Sequence, residues 1–458
     1  MASAGSDAAV TVGLPPRSKV HNRKGLFGQT LKTMVFSMAI LVINMATGMV
    51  TARLLGPEGR GLQTAMILWP QFLAFASTFG IHAALLYHMK KNPEREANLY
   101  YASLWLSLCA GAVCVVAGLF LIPAWLEADA VPVAMWLMAG TPFMLLFFMH
   151  NALFRGREEF HLFNRMRYLV PLLTLAALLV LAMLDSLTPT TSAVVYIAPY
   201  APVTMLAIIR AMRVYGRPVL AGLLSTCKKV LAYGFGAYGI DLLGNLILYI
   251  DQIILINLLA PGPLGLYVVA VSLSRVTAIF SSSIIMVLYP KASSLPPKEA
   301  ALLCLRVFKL SLTAALAFVA VFMVAAPLMI HLLYGERFVE STGVFRLLVL
   351  EVVISGAALV LAQAFMAIGK PFVVTVSQAF GVLLVIPLMY YLVPEYGVIG
   401  AGWALLLPSF IRLLYVLVMF EWRFRFSLLA LLPGRDDVKW MTSMIRDRKS
   451  HTATLQQQ

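Results

Sequence analysis

Asp241, Asn245, Tyr249 and Gln252 follow one another at steps of four, four and three residues. At about 3.6 residues per turn this spacing predicts one shared helix face. The stretch that holds them, 231–259, is otherwise mostly apolar, and a second acid within it, Asp251, is turned off the stripe. The next apolar stretch carries Ser272, Arg275 and Ser282 on one face, and the first one carries Ser37, Asn44, Thr47 and Thr51 and ends near Arg53. Carboxylates, amides and hydroxyls in such a row can hydrogen-bond a polar ligand. A planar guanidinium can take a phosphate through two charge-assisted bonds. The plainer reading of Arg275 is an ion pair with Asp251, which would neutralise both. Glu351, in another apolar stretch, suits a proton or cation site for ion coupling, or a partner for Arg346 or Arg275. Ionisable groups in long apolar helices are costly, so each is a functional candidate by default. His82, His88 and His150 lie near the ends of apolar stretches and are read as interfacial or packed, with no role assigned.

The elements that must position these groups follow from composition. The 458-residue chain is 61% hydrophobic and 12% charged, with mean hydropathy +0.88. Soluble domains are about 45–50% apolar and about 25% charged, so a soluble globular fold is excluded. The apolar residues form blocks of the ~20 residues that a bilayer core demands of a helix. About twelve such blocks are predicted, at 30–55, 62–89, 99–122, 131–154, 168–184 and 192–212, then 231–259, 264–289, 304–333, 344–368, 372–393 and 398–420. The fold class expected is therefore an all-α polytopic membrane protein. Its regions are a disordered basic arm at 1–29, a first lobe at 30–212, a connector at 213–230, a second lobe at 231–420 and a tail at 421–458. The arm has no apolar core of a signal peptide.

The net charge of +15 has a distribution that explains it. With a cytoplasmic N-terminus, the inward turns carry bases such as Lys90, Lys91, Arg155, Arg157, Arg165 and Arg167, while the outward ones carry only Arg53, Arg60, Arg337 and Arg346. This bias predicts both termini on the cytoplasmic side and makes nucleic acid an unneeded partner. Cys109, Cys114, Cys227 and Cys304 form no metal or disulfide pattern and are read as packing residues. No phosphate-binding GxxxxGK[ST] occurs: Gly369-Lys370 is followed by Pro371. No cofactor is expected.

The halves echo each other. Leu54-Leu55-Gly56-Pro57-Glu58-Gly59-Arg60-Gly61-Leu62 and Leu258-Leu259-Ala260-Pro261-Gly262-Pro263-Leu264-Gly265-Leu266 share Leu-Leu, Pro, Gly and Leu at one offset (261 − 57 and 265 − 61, each 204). Gly and Pro suit a tight turn that reverses the chain between two helices. Two six-span halves that start on the same side form a parallel repeat, a plan common among secondary transporters.

The turn Thr51-Ala52-Arg53-Leu54-Leu55-Gly56-Pro57-Glu58-Gly59-Arg60-Gly61, with Tyr249-Ile250-Asp251-Gln252-Ile253, Leu264-Gly265-Leu266-Tyr267 and Leu288-Tyr289-Pro290-Lys291, resembles bacterial polysaccharide flippases. The family is the polysaccharide transporter branch, with Wzx-like O-antigen and exopolysaccharide flippases, of the superfamily that also holds MATE drug exporters and the lipid II flippase MurJ. The resemblance implies V-shaped six-helix lobes in the bacterial inner membrane and alternating access. It implies a polyprenyl-diphosphate-linked oligosaccharide as substrate. Polysaccharide polymerase or export proteins are the implied partners. On that reading Arg275 and Arg53 meet the diphosphate, Asn44, Asn245, Gln252 and the hydroxyls bind sugar, Asp241 lines the same cavity, and Asp251 and Glu351 are the candidates for ion coupling. A MATE-type cation-coupled drug exporter is the alternative. A membrane glycan polymerase is disfavoured, because it needs a long outward loop.

Overall fold

The computed structural model describes residues 23–126, 130–216 and 222–425, with the side chains of 23–31, 124–125, 237, 240–241 and 243–245 outside that description. The helices are α1 (Arg23–Ala76), α2 (Ile81–Lys91), α3 (Glu96–Trp125), α4 (Val131–Leu137), α5 (Thr141–Gly156), α6 (Phe160–Met183), α7 (Pro189–Ile197) and α8 (Tyr200–Tyr215). They continue with α9 (Leu223–Leu258), α10 (Pro261–Ser274), α11 (Ala278–Ser293), α12 (Pro297–Tyr334), α13 (Thr342–Ala367) and α14 (Pro371–Phe424). Among the described residues there is no strand.

Among the described residues, nine helical stretches are long and apolar enough to cross a membrane. Two of them, Lys32–Lys91 and Pro371–Phe424, have 60 and 54 residues. At about 1.5 Å per residue each is far longer than a hydrocarbon core of about 30 Å. Each turns back at one glycine in a left-handed conformation, Gly56 (φ 68) in α1 and Gly397 (φ 56) in α14. Only glycine takes that conformation without a Cβ clash. With α9 added, the arrangement is consistent with the twelve predicted crossings.

Several helices start or stop outside the predicted apolar limits. Residues 23–29 of the expected arm belong to α1, α9 starts at Leu223 within the expected connector, and α14 runs to Phe424 into the expected tail. Backbone hydrogen bonding continues from the apolar blocks into mixed polar and apolar sequence, where hydropathy no longer marks it. The rest of the arm, 1–22, and of the tail, 426–458, lies outside the described residues. Local signals act where they occur: Thr188 and Thr191 form a reciprocal capping box, with Pro189 opening α7.

The chain divides into two compact units, Met1–Gly265 and Leu266–Gln458. The first has a core of α2, α3, α5, α6 and α8 around Leu85, Met89, Tyr100, Phe154 and Val203, which Val230 of α9 joins. The second packs α11, α12, α13 and the last part of α14 around Leu305, Leu361, Phe365 and Phe420. Their surfaces are apolar: Trp136 is 83% and Trp422 78% exposed. Apolar exposure on that scale fits lipid and would drive aggregation in water. Cys114 and Cys304 are buried as expected of packing residues, whereas Cys109 is exposed.

Candidate functional site

In the first unit, α1 carries the predicted row. Asn44 and Arg53 are exposed and Ser37 is half-buried. Thr47 and Thr51 are buried, and each hydroxyl donates into its own helix, Thr47 to the Ile43 carbonyl at 2.8 Å and Thr51 to that of Thr47 at 2.9 Å. With no water in an apolar setting, back-bonding to the preceding turn is the cheapest way to satisfy a hydroxyl. The polar row on α1 is thus shorter than its residue types suggest, with Asn44 and Arg53 as its exposed members. On α9, Tyr249 meets the Phe72 ring edge-on at 6.4 Å, Gln252 is half-buried and Asp251 is 4% exposed. Asp241 and Asn245 fall on the α9 backbone, and their side chains lie outside the described residues.

The two echoed turns meet. A Cβ on Gly61 would lie 1.8 Å from the Pro261 carbonyl oxygen, and a Cβ on Gly265 would lie 1.9 Å from that of Pro57. The repeat offset exchanges the members of this pair, Pro57 for Pro261 and Gly61 for Gly265. The contact therefore has a local two-fold character, and glycine is required because backbone touches backbone. The first part of α9 runs along the start of α2 in the same manner. A Cβ on Gly80 (φ 67) would lie 2.2 Å from the Gly234 carbonyl oxygen, Tyr238 donates to the Ala76 carbonyl, and Tyr87 stacks on Tyr233 at 4.2 Å.

In the second unit Arg275 opens a 3₁₀ turn, Arg275–Thr277, which interrupts the eighth predicted span between α10 and α11. Such a turn within a long helix often marks a functional break. Arg275, Ser272 and Ser282 are exposed, while Ser274 and Thr277 beside them are buried. Ser272 and Ser282 donate to the carbonyls of Val268 (2.7 Å) and Ala278 (2.9 Å), so their oxygens keep accepting capacity.

Glu351 has a setting that the sequence did not disclose. Ser409 of α14 donates to its Oε1 at 2.7 Å, and the Arg412 guanidinium, 7% exposed, lies close enough to feel its charge. Arg412 also approaches Ser355 Oγ at 3.5 Å and lies across Gly381, where a Cβ would come within 2.7 Å of its Cδ. Arg346, considered as a partner for Glu351, is exposed and donates to the Met323 carbonyl at 3.0 Å. Arg412 thus faces the helix bundle.

Two further polar clusters were hidden among residues that report topology. Arg157, 7% exposed, joins Glu96 (3.0 Å), Glu159 (2.7 Å) and the Tyr215 hydroxyl (3.2 Å), while Tyr215 donates to Glu96 at 2.8 Å. Burial works against its charge, but Tyr215, Glu159 and Glu96 outweigh it and hold the guanidinium above its ordinary range. This cluster ties the ends of α5 and α8 to the start of α3. Arg60 is buried likewise: it donates to Gln63, Gln63 donates to Ser192 on α7, and the guanidinium lies 5.9 Å from the Tyr196 ring centre. Among the described residues no group of three or more His, Cys, Asp or Glu could hold a metal ion.

Comparison with known proteins places this geometry. Residues 50–343 match the family model described as polysaccharide biosynthesis protein. The fold is similar to the lipid II flippase MurJ in an inward closed conformation, with a TM-score of 0.72 and 12% identity over 87% of this chain and 89% of that one. It is similar to an inward-facing MATE multidrug-resistance transporter of the MOP superfamily, with a TM-score of 0.67 and 16% identity over 84% and 94% of the two chains. A MOP superfamily transporter from Pyrococcus furiosus follows at 0.56 and 17%, over 88% and 96%. No curated protein sequence matches significantly. The structural likenesses establish the fold, and the family match covers well over half the chain. The resemblance read from the turn motifs therefore holds: this chain is a multi-pass membrane protein of the polysaccharide biosynthesis family, built on the fold of MOP superfamily transporters.

Proposed function

We propose that the chain is a flippase that carries a polyprenyl-diphosphate-linked oligosaccharide across the bacterial cytoplasmic membrane for surface polysaccharide synthesis, O-antigen or exopolysaccharide. The observation that carries this reading is the polysaccharide-biosynthesis match over 50–343, which encloses Arg53, Gln252 and Arg275. The MurJ-like fold supports it, since the protein of that structure is named a flippase for lipid II. Such a substrate has a tail that stays in hydrocarbon and a charged head that cannot cross unaided. A carrier must offer that head bases and hydrogen-bonding groups within otherwise apolar helices. Exposed Arg53, Asn44 and Arg275 are groups of that kind.

In this proposal Arg275 and Arg53 meet the diphosphate at different stages of alternating access. Asn44, Asn245, Gln252 and Asp241 meet the sugars. Asp251 and Glu351 are the candidates for ion coupling, and the Arg412 guanidinium lies close enough to Glu351 to feel its charge. The protein is a carrier and performs no covalent chemistry, both termini are cytoplasmic, and polymerase or export proteins receive the product. A cation-coupled drug exporter is the second reading, favoured by the fold likeness to a MATE transporter and by the burial of Asp251.

The test is the surface glycan of a deletion strain carrying either wild type or Arg275→Ala at equal protein level. Loss of glycan with lipid-linked oligosaccharide accumulating inside, rescued by wild type alone, is expected. Full rescue by Arg275→Ala removes the proposed role of that residue. An unchanged glycan with altered sensitivity to cationic drugs replaces the flippase with the exporter.

A further inference from the structure

The hairpin between α5 and α6 holds two arginines that the family reading does not use. Arg155, in the last turn of α5, has its Cζ 5.7 Å from the ring centre of Phe163, and Arg167, on α6, has its Cζ 5.1 Å from the same centre. Phe163 packs against the core of the first unit, so the ring is a fixed platform. The two guanidinium groups are close enough to repel. Among the described residues neither has a hydrogen bond or ion pair. The nearby acids are engaged elsewhere: Glu158 with Lys90, and Glu96 and Glu159 with Arg157. Two like charges held on one ring without a counter-charge are a site short of an anion.

The position says which anion. The hairpin ends two membrane-length helices, so it lies where lipid phosphates lie. Further along α6, Leu173, Leu179 and Val180 are exposed, an apolar surface on the same helix for an acyl chain. A phosphate oxygen pair matches the planar fork of arginine better than a chloride or an ammonium-bearing head would. We infer that Arg155 and Arg167, splayed on Phe163, form a binding site for the phosphate of an anionic bilayer lipid at this end of the first unit. The site is separate from the transported substrate and does not depend on the flippase reading.

The test uses the purified full chain in detergent, titrated with phosphatidylglycerol and read by native mass spectrometry. The charge-assisted bond that each arginine gives the phosphate, partly hydrated at this surface, is worth about 1 kcal/mol. Arg155→Gln with Arg167→Gln should therefore weaken lipid binding about thirtyfold, since ~2 kcal/mol at 1.4 kcal/mol per decade is that factor. Arg165→Gln with Arg210→Gln removes the same charge from exposed positions on α6 and α8 and should change binding less than about threefold, the loss of general attraction alone. Arg155→Lys with Arg167→Lys keeps the charge and the fold but loses the fork, and should fall between the two. Equal loss in the Gln pair and its control overturns the site, as does a Lys pair indistinguishable from wild type. An inorganic diphosphate arm separates the sources. If diphosphate binding depends on the pair while phosphatidylglycerol binding does not, the ligand is a free anion and the lipid assignment is wrong.

Discussion

Replacing Gly265 by alanine tests the reciprocal turn contact. In an open helical position the change should stabilise, because glycine costs roughly 0.5–1 kcal/mol relative to alanine in a helix interior. At Gly265 the new Cβ would lie 1.9 Å from the Pro57 carbonyl oxygen and 3.1 Å from the Gly61 nitrogen. Carbon and oxygen rarely approach within about 3 Å, so the two turns must separate by roughly 1 Å. Overpacking costs about 1–3 kcal/mol, and more when backbone must move, so the net sign is destabilising. Gly61→Ala should behave alike, with its Cβ 1.8 Å from the Pro261 oxygen. The two clashes lie across one contact, so separation forced by one relieves the other. The double variant should therefore cost less than the sum of the singles. Gly48, with nothing within 4 Å of a Cβ, is the control and should gain stability. The assay is thermal unfolding in detergent followed by tryptophan fluorescence. A Gly265→Ala variant as stable as Gly48→Ala, or strict additivity in the double variant, would refute the shared contact.

Three further outcomes follow from the buried charges. Arg412→Ala should lower stability by about 3–5 kcal/mol, because it removes a buried positive charge from beside Glu351; Arg412→Met with Glu351→Leu should recover most of the loss. The melting midpoint checks both, and a double variant no better than Arg412→Ala would exclude the charge pairing. Arg157→Ala should cost a similar ~3–5 kcal/mol, measured as the loss of folded protein on mild heating. Tyr215→Phe, which removes one hydroxyl and keeps the ring, should cost only about 1 kcal/mol; a loss as large as that of Arg157→Ala would mean that the hydroxyl, not the ion pair, holds the cluster.

Much of the architecture was legible in the sequence because lipid imposes a simple rule. Length and apolarity give the crossings, and the echo of Pro57 and Gly61 in Pro261 and Gly265 marked the pair of turns that proved to touch. The helix ends at Arg23, Leu223 and Phe424 were not legible, since hydropathy is silent in mixed polar and apolar sequence. The site was readable only as residue types. The row on α1 looked uniform, yet Thr47 and Thr51 turn their hydroxyls onto their own helix and Asn44 does not. Spacing gives the face but not the hydrogen-bond partner. Arg412 and Arg157 were harder still. Whether a base near a span end reaches water or a buried acid depends on helices distant in sequence, as Ser409 with Glu351 and Tyr215 with Glu96 illustrate.

The glycine turns have a practical consequence. Because Gly56 and Gly397 each join two helices through a single non-helical residue, these ends of the hairpins present almost no extended backbone. Proteases need several residues of unfolded chain in their cleft, and inserted epitopes need a loop that tolerates length. Both turns should therefore resist nicking in intact membranes and reject tag insertion. Reporter fusions and antibody epitopes for following this protein in cells are better placed in an exposed loop such as 184–186, between α6 and α7.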